Sequence, residues 1–477
     1  GCLSGDTLIT RADTGERIAI KDLVGKKNIP VLSFNEHHTV VPQTISKVFK
    51  SGKKRLYKIT TASGRTIQAS GNHPFYTLGG WKRVDMLGKT EHVAIPRKLP
   101  VTPQSTLSQE EIILCAHLLG DGCILPTQPY HYTSADEKNI EIVEQTASKL
   151  FGITPRRVRQ KNWWHVYLPS PYHLTHGTYH PITNWFEKYN IQRVRSFEKE
   201  IPQDIFRCTD KDVALFLHHL WATDGNVSIK KIKGRKPAGA IYYASTSERL
   251  ASGVQYLLLR LGIMSSMRKI KQGRYRPSFH VHIEGSVMQK RFCEIVGCHG
   301  TRGHIIPKLI QLLDDIIPNP NTDSIPAGAW KLHVEPAKEE VSMSWKGIAS
   351  EMGVAYNGSA LMKTGISKKR LRVIADILSS KNLKKLSQSD LYWDKITSIE
   401  KLGIEDVYDA TVPGSHNFVA NDFLVHNSIE QDADVVAFIH RDDKYNENSE
   451  KPNIAEILIE KHRNGPTGKV ELYLTIR

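Results

Sequence analysis

Strand-forming segments at both ends of a long interruption constrain the fold of this sequence more than any other feature. Residues 2–103 contain short runs of β-branched and aromatic residues separated by turn signals, and they lack helical periodicity. The same pattern returns in residues 394–427. Residues 104–335 mix helix-like and strand-like stretches, and residues 336–393 add further helical ones. We therefore predict a multidomain protein in which one all-β module is split by an α+β insertion.

The composition favours a globular protein that binds an anionic partner. A chain of 477 residues is too long for one hydrophobic core, and its formal net charge is +16. Because the basic residues cluster, nucleic acid is the favoured partner. No apolar run is long enough to span a membrane, and no signal peptide opens the chain. The six cysteines do not suggest a disulfide framework, so we expect a reducing cytoplasmic environment.

Reactive residue types stand at both ends of the split β module. Cys2 follows Gly1 and supplies a thiol nucleophile, whereas Asn427, which can cyclise on its own carbonyl, precedes the hydroxyl of Ser428. Each of the accompanying polar residues is, taken alone, more often structural. Their order at the ends of one β module is nevertheless a specific pattern, and it comprises Ser70, His73, Asp409, His416 and His426.

This pattern resembles the splicing blocks of inteins, which have the Hint (hedgehog/intein) β fold, although Ser70 stands where that family usually has threonine. The resemblance implies that residues 2–427 excise themselves without a cofactor. In that scheme Cys2 attacks the Gly1 carbonyl to form a thioester. Ser70 helps to hold the distorted peptide, and His73 protonates the departing nitrogen as a general acid.

The same resemblance assigns the later steps to residues of the second junction. Ser428 attacks the thioester to give a branched ester, and Asp409 is the candidate for controlling protons between the steps. Asn427 then cyclises to a succinimide while His426 and His416 polarise its carbonyl and deprotonate its amide. The freed ester finally rearranges to an amide. The alternative is a DNA-binding structural protein whose junction residues are inert.

The insertion contains two similar stretches, residues 114–122 and 217–225, each an apolar helix that ends in Asp-Gly. An Asp before a helix-ending glycine explains one occurrence but not two in matched context. The stretches resemble the paired motifs of LAGLIDADG homing endonucleases. This resemblance implies that Asp121 and Asp224 bind Mg²⁺ between two packed helices. It also implies that the insertion cuts double-stranded DNA at an intein-free allele of the host gene. The alternative is an inactive nuclease in an intein that only splices.

Basic runs in the insertion suit contacts with DNA phosphates. They occupy residues 156–161, 230–236 and 268–276, and we expect a lysine near the cleavage chemistry in residues 230–236. Residues 344–378 contain two amphipathic helical stretches. These form either a helix-turn-helix, with basic residues 368–372 in its second half, or a helical linker back to the β module.

Four residues late in the insertion suggest a zinc site, namely Cys293, Cys298, His299 and His304. Their spacing fits no common zinc-binding pattern well. A core cysteine pair with surface histidines is therefore the favoured interpretation.

The last segment, residues 428–477, differs from the rest. Residues 435–439 and 456–459 are apolar and predict buried strands, but the segment is too short to bury its own core. Its sequence is similar to the DnaB-family replicative DNA helicases. That similarity implies the C-terminal fragment of a RecA-like α/β domain, with Gly1 as the last residue of the preceding host segment.

The helicase similarity also assigns an ATP site. Lys461 and Arg463 would reach the ATP of a neighbouring subunit in a hexamer, with Arg463 as the arginine finger. Without the family they are basic hairpin residues. Residues 88–90 imitate the end of a P-loop, but Arg83 occupies the place of its first glycine. We therefore expect ATP to serve only the complete helicase, whose remaining chain is the partner.

Overall fold

The computed structural model describes residues 1–318, 323–356, 358–427, 435–444, 449–462 and 465–474. Ten described strands precede the insertion: β1 (Leu3–Ser4), β2 (Leu8–Thr10), β3 (Arg17–Ala19), β4 (Ile29–Phe34), β5 (Val40–Ile45), β6 (Lys47–Thr61), β7 (Thr66–Ser70), β8 (Pro74–Thr77), β9 (Gly80–Arg83) and β10 (His92–Pro96).

The insertion alternates helices and strands. Its elements are α1 (Gln109–Asp121), β11 (Gly122–Cys123), β12 (His131–Ser134), α2 (Glu137–Phe151), β13 (Arg156–Arg159), β14 (Trp164–Tyr167), α3 (Pro181–Lys188), α4 (Gln203–Phe206), α5 (Asp210–Asp224), β15 (Gly225–Lys230), β16 (Ala238–Ser245), α6 (Glu248–Arg260), β17 (Ser266–Gln272), β18 (Tyr275–Ile283), α7 (Ser286–Ile295) and α8 (Ile306–Asp314).

A mostly helical segment and the remaining strands complete the described chain. They are β19 (Ser324–Ile325), α9 (Glu335–Glu340), α10 (Trp345–Glu351), β20 (Ile366–Ser367), α11 (Lys368–Ile377), α12 (Lys381–Gln388), β21 (Leu391–Thr411), β22 (Asn417–Ala420), β23 (Phe423–His426), β24 (Val435–His440), β25 (Ile454–His462) and β26 (Gly468–Tyr473).

Strands from both sides of the insertion share one sheet. Its order is β1-β7-β6-β21-β10-β8-β23-β22-β2-β3, with β9 paired to β8. β21 lies between β6 and β10, and β23 lies between β8 and β22, so neither segment forms this sheet alone. Ile59, Phe75 and Phe423 come from both segments and are buried in one hydrophobic core. This interleaving confirms the split β module that the sequence predicts.

The insertion repeats one arrangement twice. Its first half runs α1-β11-β12-α2-β13-β14, and its second half runs α5-β15-β16-α6-β17-β18. The halves form matching antiparallel sheets, β11-β12-β14-β13 and β15-β16-β18-β17. α1 starts at a capping box between Ser108 and Glu111. α1 packs against α5, so the two Asp-Gly helices meet.

The close contact between α1 and α5 depends on Gly120. A Cβ atom at this position would lie 2.0 Å from Thr223 Oγ1 and 2.3 Å from Thr223 Cβ. We expect Gly120→Ala to lower the free energy of unfolding by about 1–3 kcal/mol, because the helices must move apart. Urea denaturation followed by tryptophan fluorescence measures this loss. Gly403→Ala is the control, since nothing lies within 4 Å of a Cβ atom there; equal losses in both variants would contradict the packing role.

The helices that follow the insertion form a connector. α10 and α11 match the two predicted helical stretches, but residues 352–367 separate them and include β20, which pairs with β19. A helix-turn-helix joins its helices through a turn of only about 3–4 residues, so α10 and α11 do not form one together. Whether the segment binds DNA or only links the insertion to the β module stays a prediction. Leu371 and Ile374 of α11 are buried in the same core as the insertion.

β24, β25 and β26 form an antiparallel sheet of three strands. The prediction that residues 435–439 form a buried strand is wrong, because Val435 is 50% exposed and Ile439 is 74% exposed. Residues 456–459 are only partly buried. The reason is that no α-helix of the described part of this segment covers the sheet, and so short a segment cannot cover both faces itself.

Candidate active sites

Ser70 contacts the backbone of the first junction. The Cys2 N–H donates to Ser70 Oγ at 2.9 Å, and the Ser70 N–H donates to the Cys2 carbonyl at 2.9 Å. Ser70 Oγ also donates to Asn72 Oδ1 at 2.8 Å, which orients the hydroxyl. The paired strands β1 and β7 hold these buried residues together. The hydroxyl therefore touches the nitrogen of the Gly1–Cys2 peptide bond.

His73 is fully buried and lies against Gly1. A Cβ atom on Gly1 would be 2.5 Å from His73 Cα and 2.9 Å from His73 Nδ1, so only glycine allows this contact. Burial is the main cause that lowers the pKa of His73 well below its ordinary value, and the neighbouring His426 lowers it further. The resting imidazole is therefore neutral, and its protonated form would be a strong acid.

His426 contacts the carbonyl of the second junction. Its Nδ1 donates to the Asn427 carbonyl oxygen at 2.7 Å, and the Asn427 N–H donates to the His416 carbonyl at 2.9 Å. The Asn427 side chain is best satisfied with Nδ2 donating to the His416 carbonyl at 2.5 Å and Oδ1 accepting from the Val412 N–H at 3.0 Å. The imidazoles of His416 and His426 stack with centroids 6.4 Å apart. His416 thus reaches Asn427 through its backbone.

Asp409 is completely buried in β21. β21 pairs with β1 through Leu3 and Tyr408, so Asp409 is the next residue in register and lies opposite Cys2. Asp409 Oδ1 accepts from the Ala410 N–H at 2.8 Å. The strand register therefore brings this carboxyl to the first junction, where the sequence places it only by analogy.

Both junctions meet in one buried region. β8 begins directly after His73 and pairs with β23, which ends at His426, and these two histidines interact electrostatically. Trp81 packs edge-on against His426 with ring centroids 4.8 Å apart, a contact that no sequence pattern indicated. Ser428 lies outside the described residues, so its distance from Cys2 is not part of this geometry.

Asp121 and Asp224 end the packed helices α1 and α5. Asp121 is half-buried, and Asp224 is the more exposed of the two. This partial burial raises the pKa of Asp121 to about 7, with a further contribution from the charge of Asp224, and raises the pKa of Asp224 to about 6. The helix contact brings the two predicted carboxyl groups together.

Two cations that the sequence did not single out hold the ends of these helices. Lys199 Nζ donates to three carbonyls at the end of α1 at 2.9–3.1 Å. Arg302 Nη1 donates to carbonyls at the end of α5, the shortest contacts being 2.6 and 2.7 Å. Both cations lower the pKa of Asp121 and Asp224, opposing the effect of burial. Burial in turn lowers the pKa of Lys199 to about 8.

Residues 230–236, where we predicted a lysine near the cleavage chemistry, comprise the end of β15 and the exposed connection to β16. Lys199 is a lysine whose charge acts on both carboxyl groups. The carbonyls that Lys199 contacts lie at the end of α1, a helix far from Lys199 in the sequence. A contact with backbone oxygens leaves no periodic signal, so sequence reasoning had no means to find it.

The four residues considered for zinc do not share one site. Cys293 and Cys298 are buried thiols, and burial raises the pKa of each to about 12. His304 Nε2 lies 2.8 Å from Lys138 Nζ. His299 lies beside His218 and His219.

The ATP-site residues are only partly within the described chain. Arg463 lies outside the described residues. Lys461 is described through its backbone alone, which pairs with Val436 between β24 and β25. Their assignment to an ATP site stays a prediction.

A known protein family matches the chain over most of its length. The family model described as the intein splicing domain matches residues 9–427, so the chain belongs to the intein splicing-domain family. The chain is also 43% identical over 477 residues to the replicative DNA helicase DnaB of Synechocystis, an alignment covering 99% of this chain and 54% of that protein. It thus spans about half the length of the curated relatives it matches.

Two solved structures are also similar to parts of the chain. A DnaB intein from Synechocystis has 16% sequence identity and a TM-score of 0.28, covering 90% of this chain and 99% of that one. The homing endonuclease I-DmoI, in complex with DNA and Mn, has 13% identity and a TM-score of 0.27, covering 39% of this chain and 96% of that one.

Every described helix is too short or too polar to span a bilayer.

Proposed function

We propose that this chain excises residues 2–427 and joins the residues that flank them. The observation that carries the proposal is the meeting of both junctions in one buried region, with Ser70 on the Cys2 nitrogen and His426 on the Asn427 carbonyl. Every step is intramolecular. Positioning therefore supplies much of the rate, and the reaction needs no cofactor.

The first step exchanges the Gly1–Cys2 amide for a thioester. The Cys2 thiolate attacks the Gly1 carbonyl, and the departing nitrogen receives a proton from His73, whose imidazole lies against Gly1. The resting imidazole of His73 is neutral, so it first takes up the proton that the Cys2 thiol loses. Because its pKa is low, the imidazolium then gives this proton readily to the departing nitrogen. Ser70 holds the departing nitrogen through its hydroxyl. Asp409, opposite Cys2, controls protons between this step and the next.

The later steps release the segment. The Ser428 hydroxyl attacks the thioester carbonyl, and the thiol of Cys2 leaves. The Asn427 side-chain nitrogen then attacks its own backbone carbonyl, which His426 polarises through its 2.7 Å hydrogen bond. The Asn427–Ser428 peptide bond breaks, the Ser428 nitrogen leaves as an amine, and Asn427 becomes a succinimide. His416 orients Asn427 through its carbonyl, and its imidazole is the remaining candidate for accepting the amide proton. The released ester rearranges to an amide between Gly1 and Ser428.

His73→Ala tests the assignment of the first step. We expect cleavage at the Gly1–Cys2 bond to slow by roughly 10²–10⁴-fold, the usual contribution of a general acid, while cleavage after Asn427 changes much less. Residues 2–427 between two carrier proteins, with the products weighed over time, provide the measurement. His37→Ala is the matched control, since that side chain is 77% exposed. Equal slowing at both junctions would mean that His73 only supports the fold.

We also propose that the insertion is a LAGLIDADG homing endonuclease that cuts both DNA strands at an intein-free allele of the host gene. The paired carboxyl groups of Asp121 and Asp224 favour this activity. Their mutual repulsion and raised pKa fit a divalent cation between them, and Mg²⁺ prefers such oxygen ligands. When bound, Mg²⁺ would activate water and stabilise the leaving oxygen.

Exposed basic residues support a DNA substrate. β13 and β17 occupy equivalent edges of the two sheets of the insertion. Arg156 and Arg159 on β13, and Arg268 and Lys269 on β17, are exposed. Such a pair of positive edges suits phosphate contacts along one duplex. A plasmid carrying the intein-free site tests the activity, and the absence of cutting with Mg²⁺ would leave the splicing-only alternative.

Residues 428–477 are, in this proposal, the C-terminal host segment of a hexameric replicative helicase. The similarity to DnaB across nearly the whole chain supports this assignment. The partner is then the remaining helicase chain, in which a RecA-like domain is completed and Lys461 and Arg463 serve the ATP site of a neighbouring subunit.

A further inference from the structure

We propose that His218, His219 and His299 bind a divalent transition-metal ion of the zinc class. One ligand nitrogen from each side chain lies within 4.8 Å of those of the other two. Zinc in a tetrahedral site separates its nitrogen ligands by about 3.3 Å, so modest side-chain rotations close this arrangement. Zinc, copper and nickel favour imidazole ligands, whereas Mg²⁺ favours oxygen. This site therefore differs in chemistry from the carboxyl pair of the nuclease.

Each of the three rings is oriented by a hydrogen bond on one nitrogen. His218 Nδ1 donates to the Val296 carbonyl at 2.7 Å, and His299 Nε2 donates to the Lys138 carbonyl at 3.2 Å. His219 Nδ1 lies 2.9 Å from Nε2 of His117. The opposite nitrogen of each ring remains for a metal. Metal-binding histidines in proteins are typically oriented by such a bond on the other nitrogen.

His117 extends the cluster into the contact between α1 and α5. Its Nδ1 lies 2.9 Å from the Tyr132 hydroxyl, and both side chains are fully buried.

The position of the cluster predicts what a bound ion does. His218 and His219 lie on α5, whereas His299 lies in the loop after α7, shortly before Arg302. Arg302 holds the end of α5 beside Asp224. An ion shared by helix and loop would fix the segment that carries this arginine. We therefore expect the metal to act as a structural clamp on the second half of the insertion.

Zinc titration of the metal-free chain tests this site. The full chain carrying Cys2→Ala and Asn427→Ala, which removes the junction thiol and prevents cleavage after residue 427, is stripped with EDTA and titrated with Zn²⁺ against a chromophoric chelator. We expect one equivalent to bind and the thermal midpoint to rise. His299→Gln and His218→Gln should each weaken binding by at least ~100-fold, since loss of a ligand exceeds the loss of a supporting contact.

Two controls separate this site from others. His304→Gln changes an exposed histidine in the same loop and should keep the full affinity, as should the double variant Asp121→Asn/Asp224→Asn. Circular dichroism and the metal-free thermal midpoint of His299→Gln show whether that variant is folded. The proposal is overturned if the parent binds no Zn²⁺, if folded His299→Gln and His218→Gln retain its affinity, or if only the carboxyl double variant loses it.

Discussion

Asn427→Ala should abolish cleavage after residue 427, and with it the joining of the flanking segments. The Asn427 side chain is the nucleophile of cyclisation and alanine supplies none, so no succinimide should be detected by mass spectrometry of the products. The contacts of Cys2 with Ser70 do not involve Asn427. The thioester should therefore still form, and an added thiol should release the upstream carrier at a rate close to that of the parent.

Complementary variants make this result specific. Cys2→Ala should lose cleavage at the first junction and keep cleavage after Asn427. Asn382→Ala removes an exposed asparagine away from the junctions and should splice normally. Spliced product at the parent rate from the double variant Cys2→Ala/Asn427→Ala would refute the proposed chemistry.

Asp121→Asn and Asp224→Asn should each reduce plasmid cleavage at least roughly 100-fold while splicing continues. Each substitution removes a direct cation ligand, which costs more than the 10–100-fold typical of a supporting contact. Asp376→Asn, at an exposed aspartate of α11, is the matched control. Loss of splicing together with cutting would show that these substitutions unfold the chain and not only the nuclease site.

The same carboxyl groups set an expected pH dependence. Their pKa values lie at about 7 and about 6 in the folded chain, above the ordinary 3.8, so the folded state holds protons that the unfolded chain releases. Stability should therefore fall as pH rises from about 4 to 7, while cutting should rise through about pH 6–7 as the groups ionise. Asp121→Asn should raise the thermal midpoint at about pH 8 and change it little at about pH 4.

The sequence predicted what local residue types determine. The strands around Cys2 and Asn427 and the two Asp-Gly helix ends follow from short-range patterns, and the structure contains them. The pairing of the split β module also followed, because strand chemistry stops and resumes in the chain.

Features that depend on distant contacts were not predicted. Lys199 and Arg302 donate hydrogen bonds to backbone carbonyls, which every residue has. No sequence pattern could therefore identify these two cations. His299 was grouped with neighbours in sequence, whereas the fold places it beside a helix that lies far away in the chain. The exposure of Ile439 was missed because an apolar run indicates a strand but not what covers it.

β10 and β21 pair at the boundaries of the insertion, with Ile95 opposite Tyr392 and Pro96 opposite Leu391. Everything between them therefore leaves and re-enters the sheet at adjacent points, like the loop of a single hairpin. The entropy of closing a loop grows only slowly with its length. Gain or loss of the whole insertion consequently requires no rearrangement of strand order, and the all-β module that contains both junctions can persist without it.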